Sequence, residues 1–145
     1  MTAKEYLQQI RNIDILIRNK QDEIKELEAK VGVKAISYES DGSKPASRNI
    51  LRTEELMIKL VMLKDEMNHD VDTLIDKKRE VMSVIDSLDN PDEVNLLYLR
   101  YLRYMKWEQI ALEMNYSYKH VHNIHGKALK SIDERLHKIT QKDML

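Results

Sequence analysis

Residues 115–132 combine lysine, histidine and asparagine side chains and contain no acidic residue. Lys119, Lys127 and Lys130 carry positive charge, which neutralises the phosphates of a bound nucleic acid. Asn123 lies among them, and an asparagine amide can form two hydrogen bonds with the edge of adenine. The side chains of this stretch are therefore those that a DNA-binding surface needs.

The basic character is confined to the C-terminal part of the chain. Residues 95–132 carry six basic and two acidic side chains, whereas residues 1–88 carry 15 basic and 17 acidic ones. The formal net charge of the whole chain is only −1. This asymmetry favours contact with a polyanion through the C-terminal part alone.

The three histidines of this stretch also raise the question of a metal site. On a helix, only His122 and His125 would share a face, and His120 would point away from them. The chain also has no cysteine that could serve as a metal ligand. Paired carboxylates such as Asp22 and Glu23 are typical of solvated helix faces, and the three glycines form no phosphate-binding or nucleophile motif. We therefore expect no metal, no cofactor and no catalytic residue, so the chain is predicted not to be an enzyme.

Three helices are predicted to position these residues, at 90–104, 107–114 and 118–137. Asn90 can cap the first of them, with Pro91 at its first position. Between the last two helices, Asn115 suits the left-handed conformation of a tight turn, and Ser117 can cap the final helix. Two helices joined in this way form a helix-turn-helix, whose second helix enters the major groove of DNA.

Two long amphipathic segments precede this module. In residues 1–31 the residues spaced by four and three are Tyr6, Ile10, Ile13, Ile17, Lys20, Ile24, Leu27 and Val31. In residues 48–88 they are Leu56, Leu60, Leu63, Met67, Val71, Leu74, Lys78, Val81, Ile85 and Leu88. Such spacing predicts a long, coiled-coil-like antiparallel helical hairpin, joined by a loop at residues 32–47.

Residues 56–63, with the sequence LMIKLVML, are apolar at seven of eight positions. A helix that is apolar on all sides is buried on all sides, and a hairpin partner covers only one of them. The additional contact is either the C-terminal module or another subunit. We expect a homo-oligomer, a dimer or a tetramer.

The composition as a whole predicts an all-α protein. Only three glycines and two prolines occur in 145 residues, too few for a turn-rich β fold. No apolar run approaches the roughly 18 residues of a membrane span, so we expect no membrane contact. We interpret residues 1–88 as a helical hairpin that serves as an oligomerisation arm, and residues 90–145 as a helix-turn-helix DNA-binding domain.

The C-terminal module resembles region 4 of bacterial sigma factors over about residues 92–133. The resemblance lies in Leu99-Arg100-Tyr101, in Trp107-Glu108-Gln109-Ile110-Ala111, in Ser117 with Val121, and in Lys127-Ala128-Leu129-Lys130. A long helical arm joined to such an end is similar to phage-encoded transcriptional regulators of the RinA/ArpU late-gene activator type. No counterpart of the sigma region that melts DNA is present in the sequence.

The resemblance implies which residues contact DNA. In sigma region 4, base edges are met by the positions that correspond to Tyr118, Lys119 and Asn123. Arginines that contact phosphates or bases usually occupy the positions of His120 and His122, and the position of Lys106 lies near a phosphate. The positive charge of Lys127 adds it to this set. Because Tyr118-Lys119-His120 replaces the Arg-Glu-Arg of sigma factors, the usual promoter sequence is not implied.

These observations predict a sequence-specific, DNA-binding transcriptional regulator, phage-encoded, that reads the major groove with helix 118–137 in the cytoplasm of a bacterial host. Its expected partners are double-stranded DNA, further copies of itself and, as a further candidate, host RNA polymerase. Two alternatives remain. One is a DNA-packaging recognition subunit similar to small terminases, and the other is a coiled-coil adaptor that docks on RNA polymerase.

Overall fold

The computed structural model describes the backbone of residues 1–39 and 46–144, and the side chains of residues 1–32 and 51–144. Its elements are α1 (Ala3–Glu39), α2 (Ala46–Asp86), α3 (Pro91–Leu97), α4 (Trp107–Met114) and α5 (Tyr118–Asp143). A π-helical turn, Tyr98–Leu102, continues α3. The described residues contain no strand, and the predicted all-α fold with two long N-terminal helices is confirmed.

The predicted loop at residues 32–47 is wrong at both of its ends. α1 continues through Gly32 as far as Glu39, and α2 begins at Ala46. A single glycine costs a helix only about 1 kcal/mol relative to alanine, and no proline follows it before α1 ends. The predicted turns of this loop fall in residues 40–45, which lie outside the described residues.

The C-terminal helices follow the prediction more closely. α4 has the predicted bounds, and Pro91 is the first residue of α3. The helix predicted at 90–104 ends its regular α-helical part at Leu97 and its π-helical turn at Leu102. α5 continues to Asp143 rather than ending near His137.

Contacts divide the chain into two compact units, each described by itself. The terminal unit consists of Met1–Asp14 and Asp76–Leu145, and the hairpin unit of Ile15–Ile75. The predicted boundary near residue 89 separates two functions, oligomerisation and DNA binding, and it stays a prediction. By packing, the start of α1 and the end of α2 belong to the terminal unit together with the helices that follow.

One apolar core organises the terminal unit. Its fully buried side chains come from every helix: Leu7, Ile10, Val81, Ile85, Leu96, Leu97, Ile110, Val121 and Ile132. Removing such a side chain from water contributes roughly 1.5–3 kcal/mol. The first turns of α1 and the last turns of α2 therefore help to stabilise the fold of α3, α4 and α5.

Polar contacts fix α3 against the helices that follow it. The Asn90 side chain caps α3 by accepting a hydrogen bond of 3.0 Å from the backbone N–H of Asp92. The carboxylate of Asp92 accepts a hydrogen bond of 2.8 Å from the hydroxyl of Tyr116, which lies in the turn between α4 and α5. Glu93 is buried and accepts a hydrogen bond of 3.2 Å from Ser131 of α5. The turn and the second helix of the helix-turn-helix are thus tied to one short helix.

The hairpin unit is held together by a narrow seam of half-buried side chains. Of its described side chains only Val71 is buried. Lys20, the polar member of the predicted seam of α1, forms an ion pair of 3.3 Å with Asp70. Lys64 of α2 forms another with Glu28. The second pair lies further along α1 and earlier along α2, which is the order expected of antiparallel helices.

One member of the predicted seam is displaced. Leu63 is 38 % exposed, and the neighbouring Lys64 faces α1 instead. The seam therefore runs from Leu60 to Lys64 and then to Met67, which moves the stutter toward the start of α2. The prediction placed Leu63 in the seam because leucine is apolar. In the structure Lys64 occupies that place, because it pairs with Glu28 of α1.

The core of the terminal unit predicts a large effect for Leu7→Ala. Leu7 is fully buried, so its truncation leaves a cavity and should lower the free energy of unfolding by about 2–5 kcal/mol. The measurement is chemical denaturation followed by the fluorescence of Trp107, the single tryptophan, which lies in the terminal unit. Leu112→Ala is the control, because Leu112 is 80 % exposed. Equal stability of the two variants would show that α1 is not part of this core.

Candidate nucleic-acid interface

The turn between α4 and α5 has the predicted geometry. Asn115 adopts the left-handed conformation with φ of 57°, and its N–H donates to the carbonyl oxygens of Ala111 and Leu112. Ser117 caps α5 by accepting a hydrogen bond of 3.1 Å from the N–H of His120. The two residues singled out in the sequence therefore set the direction in which α5 leaves α4.

α5 has one buried face and one exposed face. Val121, Ile124, Ala128 and Ile132 are buried in the core. On the opposite side, steps of three and four residues lead along a single exposed stripe, here called the outer face: Lys119, Asn123, Gly126, Lys127 and Lys130. Burial of the first set thus turns the second set to solvent.

Most of the predicted DNA-contacting residues are exposed. The six exposed ones are Lys106, Tyr118, Lys119, His120, Asn123 and Lys127. Lys119, Asn123 and Lys127 follow one another at intervals of four residues on the outer face, whereas Lys106 lies on another element as the N-terminal cap of α4. Their contacts with DNA stay predictions.

His122 differs from the other six because it is half-buried. Its ring centroid lies 4.5 Å from that of Trp107 and 4.4 Å from that of Tyr118. Its Nε2 is buried and has no hydrogen-bond partner among the described residues. In this structure His122 therefore packs α5 against α4, and its predicted contact with DNA stays a prediction.

Trp107 connects α4 to both its neighbours. The guanidinium of Arg100 lies 4.4 Å from the centroid of the Trp107 ring, close enough for a cation–π interaction. Arg100 also donates a hydrogen bond of 2.9 Å to the carbonyl oxygen of Met105, which closes the turn before α4. On the side of α5, His125 lies 4.6 Å from the Trp107 ring in an edge arrangement. Sequence reasoning missed this role of Arg100, since nothing in the spacing indicates a contact between these side chains.

The turn before α4 is anchored to the first helix by Tyr104. This residue has a φ of 56°, a left-handed conformation that costs a non-glycine residue on the order of 1–3 kcal/mol. Its hydroxyl donates a short hydrogen bond to Asp14, whose carboxylate also pairs with Lys78 at 2.8 Å. Lys78 was predicted as a polar member of the seam of α2, and its carboxylate partner explains why a lysine is accepted there.

His125 is enclosed by aromatic and cationic neighbours. Its Nε2 lies 2.8 Å from the hydroxyl of Tyr101. Burial, followed by the electrostatic influence of the neighbouring His122, Lys4 and Arg100, lowers the pKa of His125 to about 4. The imidazole is therefore neutral at neutral pH. Within the described part of the chain, no group of three or more histidine, aspartate or glutamate side chains is arranged to hold a metal ion.

Comparison with known proteins gives one match. The model of a family described as a protein of unknown function (DUF1492) matches residues 46–133, which is more than half of the chain. No curated protein and no solved structure matches the chain. In addition, none of the helices in the described residues is long and apolar enough to cross a membrane.

The lowered pKa of His125 predicts a pH-dependent stability. Between pH 6.5 and 4 the unfolded chain binds a proton at His125 and the folded chain does not, so the free energy of unfolding falls as the pH falls. The shift corresponds to an upper bound of about 3.4 kcal/mol, and solvent screening of the half-buried His125 reduces the loss below this bound. His125→Gln should flatten the dependence of unfolding free energy on pH in this window.

His120→Gln is the matched control, because His120 lies exposed in the first turn of α5. It should retain the pH dependence of the original chain. A pH dependence that persists unchanged in His125→Gln would mean that other groups cause it.

Proposed function

The chain belongs to the DUF1492 family, and we propose that it is a sequence-specific, DNA-binding transcriptional regulator that acts in the cytoplasm of a bacterial host. In this proposal α5 lies in the major groove, and the protein is phage-encoded and of the RinA/ArpU type. The resemblance of residues 92–133 to sigma region 4 supports the proposal, together with the outer face of α5.

The outer face of α5 is the single observation that carries the proposal. Lys119, Lys127 and Lys130 lie on it, and no ion pair between described residues involves any of them. Some lysines of the long helices, such as Lys20 and Lys64, do pair with a carboxylate. Since others do not, the lack of ion pairs counts here only together with the absence of acidic residues between Asn115 and Ile132. Lys119 and Lys127 lie in a stretch of α5 without acidic residues, and such cations attract phosphates and release counterions when they bind.

The position of Asn123 adds the means to read sequence. It lies one turn after Lys119 on the same exposed face, near the N-terminal end of α5. In helix-turn-helix proteins this end of the recognition helix meets the base edges, where an amide can pair with adenine and a lysine with guanine. Lys127 and Lys106 would then contact phosphates and set the register.

The proposal includes a homo-oligomer formed through the hairpin unit. Ile58 is 60 % exposed and Met62 is 67 % exposed, and both lie on the side of α2 that is turned away from the hairpin seam. Met57 and Val61 flank them and are also exposed. An apolar face that the hairpin leaves uncovered favours a second copy of the chain, and two linked modules bind DNA more tightly than one.

DNA binding is tested with two variants that should behave differently. Lys119→Ala should weaken binding to every duplex, because it removes one positively charged side chain from the interface. It should also lower the magnitude of the slope of log K against log salt by about one. Asn123→Ala should cost about 1–3 kcal/mol on duplexes selected from a random pool and little on unselected ones. Binding is measured by fluorescence anisotropy across a salt titration.

Lys142→Ala is the control for charge, because Lys142 lies exposed in the last turn of α5, far from Asn123. It should leave both the affinity and the salt slope close to those of the original chain. Failure of the original chain to bind any duplex would overturn the proposed function. An equal effect of Asn123→Ala on all duplexes would remove Asn123 from sequence reading.

Assembly is tested on the full chain with Ile58→Glu combined with Met62→Glu. Both side chains point away from the hairpin seam, so helix content should be kept while the mass measured by light scattering falls to that of a monomer. Leu112→Glu is the control, since it replaces an exposed leucine of α4 in the terminal unit.

A monomeric original chain at high micromolar concentration would contradict the oligomer. A ring of about eight or more subunits would favour the DNA-packaging alternative, whereas a dimer or tetramer would favour regulation.

A further inference from the structure

Gly126 occupies an unusual place for a glycine. It lies in the interior of α5, on the outer face, between Asn123 and Lys130. Its φ is not positive, and a Cβ added to it would meet nothing within 4 Å. The chain contains only three glycines in 145 residues, and this is the one in the C-terminal helices.

Neither the conformation nor the packing of the described chain requires glycine at this position. Glycine in a helix interior is less stable than alanine, because it loses more backbone freedom on folding. Here alanine would fit without any rearrangement. Gly32 has no internal reason either. What distinguishes Gly126 is its place on the outer face, beside Lys127 and Lys130, and that place points to a requirement outside the chain.

We propose that Gly126 is the point at which the sugar–phosphate backbone of DNA comes closest to the main chain of α5. This inference rests on the proposed function. The lack of a side chain would let the DNA backbone reach van der Waals contact with the helix, where a methyl group would hold it off. Lys127 and Lys130 lie beside Gly126 and favour an anionic neighbour at this point.

The position along the helix favours the backbone over the bases. Gly126 lies eight residues after Tyr118, which corresponds to about 12 Å along the helix axis. The major groove is about 8.5 Å deep, so a helix that inserts its N-terminal end at an angle passes the phosphates at the rim of the groove after roughly this distance. Asn123 would still face the bases, and Gly126 the phosphates one turn later.

The test compares the stability and the DNA affinity of Gly126→Ala and Gly126→Leu with those of the original chain. Gly126→Ala should raise Tm by roughly 2–5 °C, because alanine is the better helix former. It should also weaken binding by about fivefold to 150-fold, the range expected from steric overlap at a packed interface. Gly126→Leu should weaken binding further. The loss should be equal for a random-sequence duplex and for duplexes selected from a random pool.

Gly32→Ala is the matched control. Gly32 is also exposed within a helix, and an added Cβ there would also meet nothing within 4 Å. This variant should raise Tm in the same way and leave the affinity for DNA unchanged.

Four results would overturn the inference. Unchanged affinity in both Gly126 variants would show that DNA does not approach the helix there. The proposed function would still stand in that case if the original chain binds DNA in a salt-dependent way. A lower Tm in Gly126→Ala would reveal a requirement within the protein. A loss confined to the selected duplexes would assign Gly126 to the bases. If the original chain binds no duplex at all, the proposed function fails together with the inference.

Discussion

The placement of α5 depends on the ring of Trp107. One face of the ring accepts the guanidinium of Arg100 at 4.4 Å, and the histidines at 122 and 125 contact it from α5 at 4.5 and 4.6 Å. The same guanidinium closes the turn that leads into α4. A single aromatic side chain thus joins the π-helical turn, the start of α4 and the first turns of α5. The arrangement requires a neutral His125, because a second cation beside Arg100 would be buried without compensation.

The side chains on the outer face of α5 are exposed and take no part in this packing. The buried side of the helix contributes four apolar residues to a core that every segment of the terminal unit shares. Some lysines elsewhere hold helices together, as the pairs of Lys20 and Lys78 with carboxylates illustrate. The lysines of the outer face belong to no such pair between described residues. Because one side of α5 is buried and the other is exposed, substitutions of Lys119 or Asn123 should change binding without changing the core.

The hairpin unit has the opposite character. Among its described side chains only Val71 is buried, and Ile58 and Met62 remain exposed on the side away from its seam. Two helices that share one narrow seam gain little apolar burial for the conformational entropy that they lose. A second copy would supply the missing burial. The terminal unit, with its own core, is a different case. In the proposed function the hairpin unit would serve assembly and the terminal unit contact with DNA.

Much of the fold could be predicted from the sequence because the signals are local. The four-and-three spacing of apolar residues predicted two long helices, and Asn115 with Ser117 predicted the turn and cap between α4 and α5. Gly32 misled the prediction of a helix end, since one exposed glycine weakens a helix without ending it. The choice of Lys64 over Leu63 depended on a carboxylate on the other helix.

The candidate site also has features that the sequence predicts and features that only the tertiary structure decides. Its side chains and their spacing on the outer face of α5 follow from the sequence, because helical periodicity alone places residues that are three and four apart on one side. Only the tertiary structure decided that His122 turns toward Trp107, that Arg100 stacks on the same ring, and that the first turns of α1 complete the core beneath α5. These contacts join residues from distant parts of the chain, and no local pattern encodes them. Their formation depends on which surfaces the whole fold brings within a few ångströms of each other.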